Sequence, residues 1–400
     1  MRAYERLLKY VVVNTQSDAT AETVPSTPGQ LEFAQVLLEE IKELGVNDAF
    51  IDEFGYLYGH LEGTDGSVDG VGLIAHLDTA ENYLGPRETP KVIESYDGKR
   101  FTLADGTVMD PAKDVHLAEA KGCDIIVTDG TTLLGGDDKA GVAIIMTALE
   151  YFKEHPEVKH GKICIAFTPD EEIGTSQDHF DIKKLDAKYA YTLDGESADE
   201  ISYENFFAAS AYVTVNGFDF HPGSAKNVMK PAAGIATEYN CALPQWERPE
   251  HTEMYEGFYH LSTIEGNEEK CEMEYLIREF DKEKFAFRKE YMQQIADMIN
   301  KRYGGEYVSV RIEDSYRNMA EIVADNIEVV DNAKEAIKEV LGGFRVLPIR
   351  GGTDGAELSY KGVPCPNMGT GSYNHHSTVE FANVQQMDKL VEVVVKMLSK

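Results

Sequence analysis

Positive charge is scarce in this chain of 400 residues: 38 Lys and Arg stand against 70 Asp and Glu, a formal net charge of −32. Binding nucleic acid by bulk electrostatics needs a basic face to neutralise phosphates, so that class is excluded. The same deficit disfavours docking on anionic membrane surfaces. Long apolar runs are also lacking, and none approaches the roughly 18 residues of a membrane span. The opening MRAYERLLKYVVV is charged throughout its first nine residues and does not read as a secretory leader. The expected location is therefore the cytoplasm. Cysteine is sparse: Cys123, Cys164, Cys241, Cys271 and Cys365 are odd in number and far apart in sequence. That predicts buried, reduced thiols rather than disulfides or a zinc–thiolate site. Repeats and low-complexity segments are absent. What is there is a globular composition, 42% apolar and 10% aromatic, too hydrophobic for disorder.

Such a length exceeds one ordinary core and points to two domains. Helical spacing of Leu7, Leu8, Val11 and Val12 opens the chain, and a second amphipathic helix spans 31–44. Ser26–Thr27 are positioned to cap it. Three unbroken apolar runs, beginning VGLIAHLDT, KICIAFTPDEE and YAYTLDGE, read as strands buried on both faces. Alternation with helices such as 140–152 predicts an α/β fold, a mainly parallel sheet with helices on both faces. Residues 81–123 read as an irregular insertion. After about residue 206 the pattern changes to helices 226–240 and 282–303 with strands 209–215, 259–265, 272–280 and 307–313, an inserted two-layer α+β domain. The α/β pattern then resumes with helix 327–341, strand 344–349, a Gly-rich loop and helix 384–398. The expected division is 1–206 with 319–400 as one domain and 207–318 as the insertion.

All three buried runs end in metal-ligand residue types. The first supplies His76 and Asp78, which share a face because strand side chains alternate. The second supplies Asp170, Glu171 and Glu172, and the third Asp194. Ligands in open α/β sheets bind beyond the carboxyl ends of strands, so three such ends suggest one shared site. GGDDKAG adds Asp137 and Asp138 before a helix, and NHHSTVE adds His375, His376 and Glu380. Each has a plainer reading when taken alone. Asp137 and Asp138 suit helix N-caps, Glu171–Glu172 a solvated loop, Asp194–Gly195 a turn, and His76 a core or surface role. Gathering so many carboxylates without cations is costly, and mixed His/carboxylate ligation suits a pair of divalent ions.

The segments HLDT, LLGGDDKAG, FTPDEEIG, YTLDG, HPGSAK, EGFYHL, PIRGGTDGA and YNHHSTVEF resemble, in order and spacing, the dizinc metallopeptidase family that includes glutamate carboxypeptidase and aminoacylase. FTPDEE, EGFYHL and PIRGGTDGA are similar to its tripeptide aminopeptidase subfamily, peptidase T. The resemblance covers nearly the whole chain. It implies two Zn²⁺, with Co²⁺ or Mn²⁺ as possible substitutes. His76 and Asp194 would hold one ion, Glu172 and His376 the other, and Asp137 would bridge them; Asp138 would not be a ligand. Asp78 would orient His76, and Glu171 would be the general base for a zinc-bridging water. His221 would reach the active site of a partner subunit in a homodimer. Arg278 and Arg350 would contact substrate termini, with an internal salt bridge as the rival role for Arg350. Two positions depart from the family pattern: His375, where relatives usually carry Tyr, and Glu196, where a small residue is usual.

The implied activity is release of the N-terminal residue from small peptides. A dipeptidase, N-acyl amino acid deacylase or carboxypeptidase of the same family is the alternative, and a non-catalytic metal-binding scaffold the reading from a different class.

Overall fold

In the computed structural model, residues 1–64, 66, 69–86 and 88–399 are described, and they divide into two compact units. The larger comprises 1–203, 319–347 and 353–400; the smaller comprises 204–318 and 348–352. The short 348–352 segment groups with the smaller unit, whereas the sequence reading placed it in the larger.

The larger unit is built on an eight-stranded sheet. At its centre Gly70–His76 pairs in parallel with Lys162–Thr168 on one side and with Tyr189–Gly195 on the other. Asn367–Gly369 continues the parallel run, while Leu57–Leu61 pairs antiparallel toward one edge. Both faces are covered, as apolar runs without alternation require. Ile74, Cys164, Ala166 and Ala190 form one cluster with Leu185 and Leu358, and the alternate residues Leu73, Ile165 and Tyr191 are equally buried. Helix Gly136–Glu154 packs on the central strands so closely that a Cβ at Gly141 would lie 2.1 Å from the Leu193 carbonyl oxygen. Glycine is required there by that approach. A second, four-stranded sheet contains Lys91–Ile93, Ile125–Val127, Ser372–Tyr373 and Phe381–Asn383. It draws the expected insertion and the C-terminal histidine loop into one layer.

The smaller unit is an antiparallel sheet in the order 258–266, 270–279, 207–216, 308–314. Helices Ala232–Ala242 and Lys282–Tyr303 cover it, with Ile235, Tyr239, Met292 and Ile295 in its core. The first of these helices starts later than the expected residue 226, because Lys230 pairs with Phe218 in a β-bridge and Pro231 stands at the N-cap. The expected strand 344–349 shrinks to Arg345–Val346, and the Gly-rich loop hides a helix, Asp354–Tyr360. Cys164, Cys271 and Cys365 are buried, but Cys123 is partly buried and Cys241 exposed; all five are free thiols. Among the described residues no helix is long and apolar enough to cross a membrane.

Candidate metal centre

Parallel register places the carboxyl ends of the central strands side by side, His76 opposite Thr168 with the Asp194 strand adjacent. Helix Gly136–Glu154 brings Asp137 to the same edge in its irregular first turn, and the loop before Phe381 brings His375 and His376. The five side chains expected to ligate metal therefore meet. Asp137 is their centre. Its Oδ1 lies 2.9 Å from His76 Nε2, and its Oδ2 lies 3.2 Å from His376 Nε2. Asp194 Oδ1 is 3.5 Å from His76 Nε2, and Glu172 Oε2 is 2.8 Å from His376 Nε2. Two ligand sets result, each able to gather donor atoms within 4.8 Å: His76, Asp137 and Asp194, and Asp137, Glu172 and His376. They share one carboxylate.

Electrostatics within the side chains alone is lopsided. Burial opposes ionisation of Asp137, but His375, His376 and His76 outweigh it and hold its carboxyl well below the usual range. His376 is pushed up to about 11 by its hydrogen bonds to Asp137 and Glu172. Burial and the charge of Asp137 raise Asp194 to about 7, against the His76 contact. Burial, with Asp194 nearby, also drives Glu171 well upward. Carboxylates this close resist sharing a pocket. Glu172 Oε1 is moreover buried with no hydrogen-bond partner, an expensive state for an ionised oxygen. Both observations fit a donor set built for cations.

Asp138 is spent on backbone, accepting the N–H of His76 at 3.1 Å and of Gly141 at 3.2 Å. Asp78 is fully buried; its Oδ1 lies 3.3 Å from His76 Nδ1, and its two oxygens accept the N–H groups of Glu171 and Glu172.

Comparison with known proteins identifies the family. The model of Peptidase family M20/M25/M40 matches residues 124–400. The chain belongs to that peptidase family. Peptidase T of Caldanaerobacter subterraneus is 46% identical over 400 residues, covering 99% of this chain and 98% of the relative. Peptidase T of Bacillus subtilis is also 46% identical, over 395 residues, covering 98% and 96%. Among solved structures, aminopeptidase PepT of Bacillus cereus superposes with a TM-score of 0.78 at 24% identity, covering 99% and 97%. A dinuclear metal-binding M20 peptidase of Bacillus subtilis gives 0.63 at 13%, covering 99% and 97%. These last two show the fold.

In this M20/M25/M40 peptidase three further residues support the site in roles that the sequence pattern did not assign. Glu380, named above with the C-terminal histidines, is buried; its Oε2 accepts the N–H of Leu134 (2.6 Å) and Gly135 (2.8 Å), and its Oε1 that of Asp137 (3.1 Å). Asp170 adopts a positive φ of 58° and receives Ser26 N–H and Gln30 Nε2, which anchors the loop carrying Glu171 and Glu172. Ser26 thus serves that loop, not the helix cap expected of it. Asp354 accepts from Thr168 Oγ1 at 2.9 Å and from Ser176 Oγ.

The expected substrate contacts sit in the smaller unit. His221 is exposed, and its Nδ1 accepts from Gly223 N–H at 3.2 Å. Arg278 lies over the Tyr316 ring and donates to the Ile277 carbonyl. Arg350 donates to the carbonyls of Met254 (2.8 Å) and Glu256 (2.9 Å) and to Thr252 Oγ1. Those partners are neutral oxygens rather than the carboxylate of a salt bridge.

Proposed function

We propose that this M20/M25/M40 peptidase is a dinuclear metallo-aminopeptidase that releases the N-terminal residue of tripeptides. The observation that carries the metal part is the single carboxylate of Asp137 facing His76 with one oxygen and His376 with the other. The substrate class rests on the Peptidase T relatives, aligned nearly end to end. His76 and Asp194 would hold one divalent ion and Glu172 and His376 the other, with Asp137 belonging to both ligand sets. Three ligand carboxylates against two divalent ions leave a formal +1, which suits an anionic nucleophile. When bound, such ions would supply Lewis acidity and lower the pKa of a water molecule from 15.7 towards about 7. Zinc is the expected metal, with cobalt or manganese as substitutes.

Glu171 is the proton carrier. Its backbone is fixed by Asp78 at 3.0 Å, and its half-buried carboxyl takes the proton of the attacking water and delivers it to the leaving amine. His221 is assigned to the substrate oxyanion of the partner's site in a homodimer, a contribution worth about 3 kcal/mol if made. Arg278 and Arg350 are assigned to the peptide's termini. Small peptides in the cytoplasm, and neither nucleic acid nor membrane, are the partners in this reading.

A series of di-, tri- and tetrapeptides, free and N-formylated, tests the function with metal content measured in parallel. Zinc-dependent cleavage confined to free-amine tripeptides is expected. Preference for blocked substrates would assign a deacylase instead. Mixing His221→Ala chains with Glu171→Ala chains tests the shared site, since complementation restores activity only if subunits exchange His221.

A further inference from the structure

Arg278 stands on the face of the smaller unit's sheet that is turned away from the helices. Burial alternates along strand Lys270–Glu279: Cys271, Met273, Tyr275 and Ile277 join the core with Ile235 and Met292, and Arg278 falls in the opposite phase. Its Nη1 donates to the carbonyls of Ile277 at 3.0 Å and Ala209 at 3.4 Å. The chain holds 70 acidic residues, yet among the described residues these carbonyls and the Tyr316 ring, not a carboxylate, are what Arg278 meets. One nitrogen of the guanidinium is thus committed to backbone, and its charge is left without an anion.

The backbone brings Tyr316 to that guanidinium. Ala208 lies directly opposite Arg278 in the ladder, and its buried side chain is too short to separate Arg278 from the segment beyond. There Ser315 N–H donates to the Ala208 carbonyl at 2.8 Å, while Ala208 N–H donates to the Tyr316 carbonyl at 3.0 Å. Two residues oppose one, the arrangement of a β-bulge, which re-aims a side chain. The Tyr316 ring comes to lie against the guanidinium, with its centroid 5.3 Å from Arg278 Cζ. Gly352 supports the ring from the PIRGG segment of the same unit. A Cβ at Gly352 would lie 3.2 Å from Tyr316 Cε1 and 3.3 Å from Cδ1, so the missing side chain lets the backbone close on the ring. Burial raises the phenol's pKa against the opposing charge of Arg278, which keeps the ring neutral.

We infer that Tyr316 is a positioning residue, whose ring holds the Arg278 guanidinium ready for the C-terminal carboxylate of the peptide. The inference rests on the proposed contact between Arg278 and a substrate terminus. A guanidinium has only donors and a positive charge, so the terminus it takes is the carboxylate. A free Arg side chain loses rotamer freedom when it engages a ligand, and stacking on a ring beforehand reduces that cost.

The test uses the metal-loaded enzyme with Ala-Ala-Ala and its C-terminal amide. Arg278→Ala measures what the guanidinium contributes to the preference for the free acid. Tyr316→Leu removes the ring, and Tyr316→Phe keeps it. In Tyr316→Leu a rise in KM of about tenfold is expected for Ala-Ala-Ala, with kcat, metal content and KM for the amide within twofold of wild type. Tyr316→Phe is expected to stay within twofold for both peptides. A purely structural role would instead impair both peptides alike. Such a parallel loss, an unchanged KM for Ala-Ala-Ala in Tyr316→Leu, or a Tyr316→Phe protein as impaired as Tyr316→Leu overturns the inference. Failure of the underlying reading is seen separately, as an Arg278→Ala protein that keeps the wild-type preference for acid over amide, and the positioning role falls with it.

Discussion

Asp78 Oδ1 accepts the backbone N–H of Glu171 at 3.0 Å, and Oδ2 accepts that of Glu172 at 3.1 Å. His76 Nδ1 hydrogen-bonds the Asp78 backbone carbonyl at 3.1 Å, with Oδ1 3.3 Å away, so Asp78 ties the proposed base and two proposed ligands into a fixed frame. Asp78→Asn presents an NH₂ to one of those amides, which then faces a donor. Residues that support metal ligands in this way typically matter 10–100-fold in affinity or activity. A weakening of that size in metal affinity or in kcat/KM is expected, measured by metal titration and steady-state kinetics. Wild-type values for both would mean the frame is dispensable.

Glu380 makes the corresponding frame on the other side. Removing its side chain leaves the N–H groups of Leu134, Gly135 and Asp137 without their acceptor, and each unsatisfied buried donor costs about 1–3 kcal/mol. Glu380→Ala is expected to lose at least about 3 kcal/mol in urea unfolding, and Glu380→Gln less, since one oxygen remains. Equal losses in the two variants would contradict a role based on acceptors.

The difference between Asp78 and Glu380 shows what the sequence can reveal. Strand ends and alternation expose side chains that point to one edge, so the convergence of His76, Glu172 and Asp194 is legible from apolar runs and their termini. A carboxylate that binds backbone amides leaves no such mark, because any residue supplies the amide. Glu380 and Asp138 are of this kind. The helix Asp354–Tyr360 was hidden because Gly351, Gly352 and Gly355 cluster around its start, yet Thr353 caps it by accepting from Gly355 N–H. Arg350 illustrates the converse: its residue type suggests a carboxylate partner, but three of its five N–H donors go to neutral oxygens in its own unit.

Glu171 and Asp137 separate chemistry from assembly. Glu171→Gln keeps the size of the side chain but cannot accept the water's proton, so kcat should fall by about 10²–10⁴ with metal retained. Asp137→Ala removes the carboxylate shared by both ligand sets, so metal itself should be lost. Elemental analysis of both proteins decides. Two ions per chain in Asp137→Ala would remove the bridging assignment, and undiminished turnover in Glu171→Gln would remove the base.

Glu200 offers a pH test away from the ligands. It is 7% exposed, and burial raises its carboxyl to about 7, although the N–H groups of Glu196 and Ser197 and the charge of Arg345 oppose the rise. An unfolded Glu titrates near 4.3. Between the two values the native carboxyl holds a proton that the unfolded chain has released. Its contribution is therefore full below about pH 4 and is lost as pH rises towards 7. Glu200→Gln does not ionise and retains an oxygen for the Glu196 amide, which donates to Glu200 Oε1 at 2.6 Å. The variant's urea midpoint should consequently decline less than that of wild type between pH 5 and 7, at a fixed metal load. Parallel midpoints across that interval would show that Glu200 is ionised in the native protein and that its burial is offset by the donors around it.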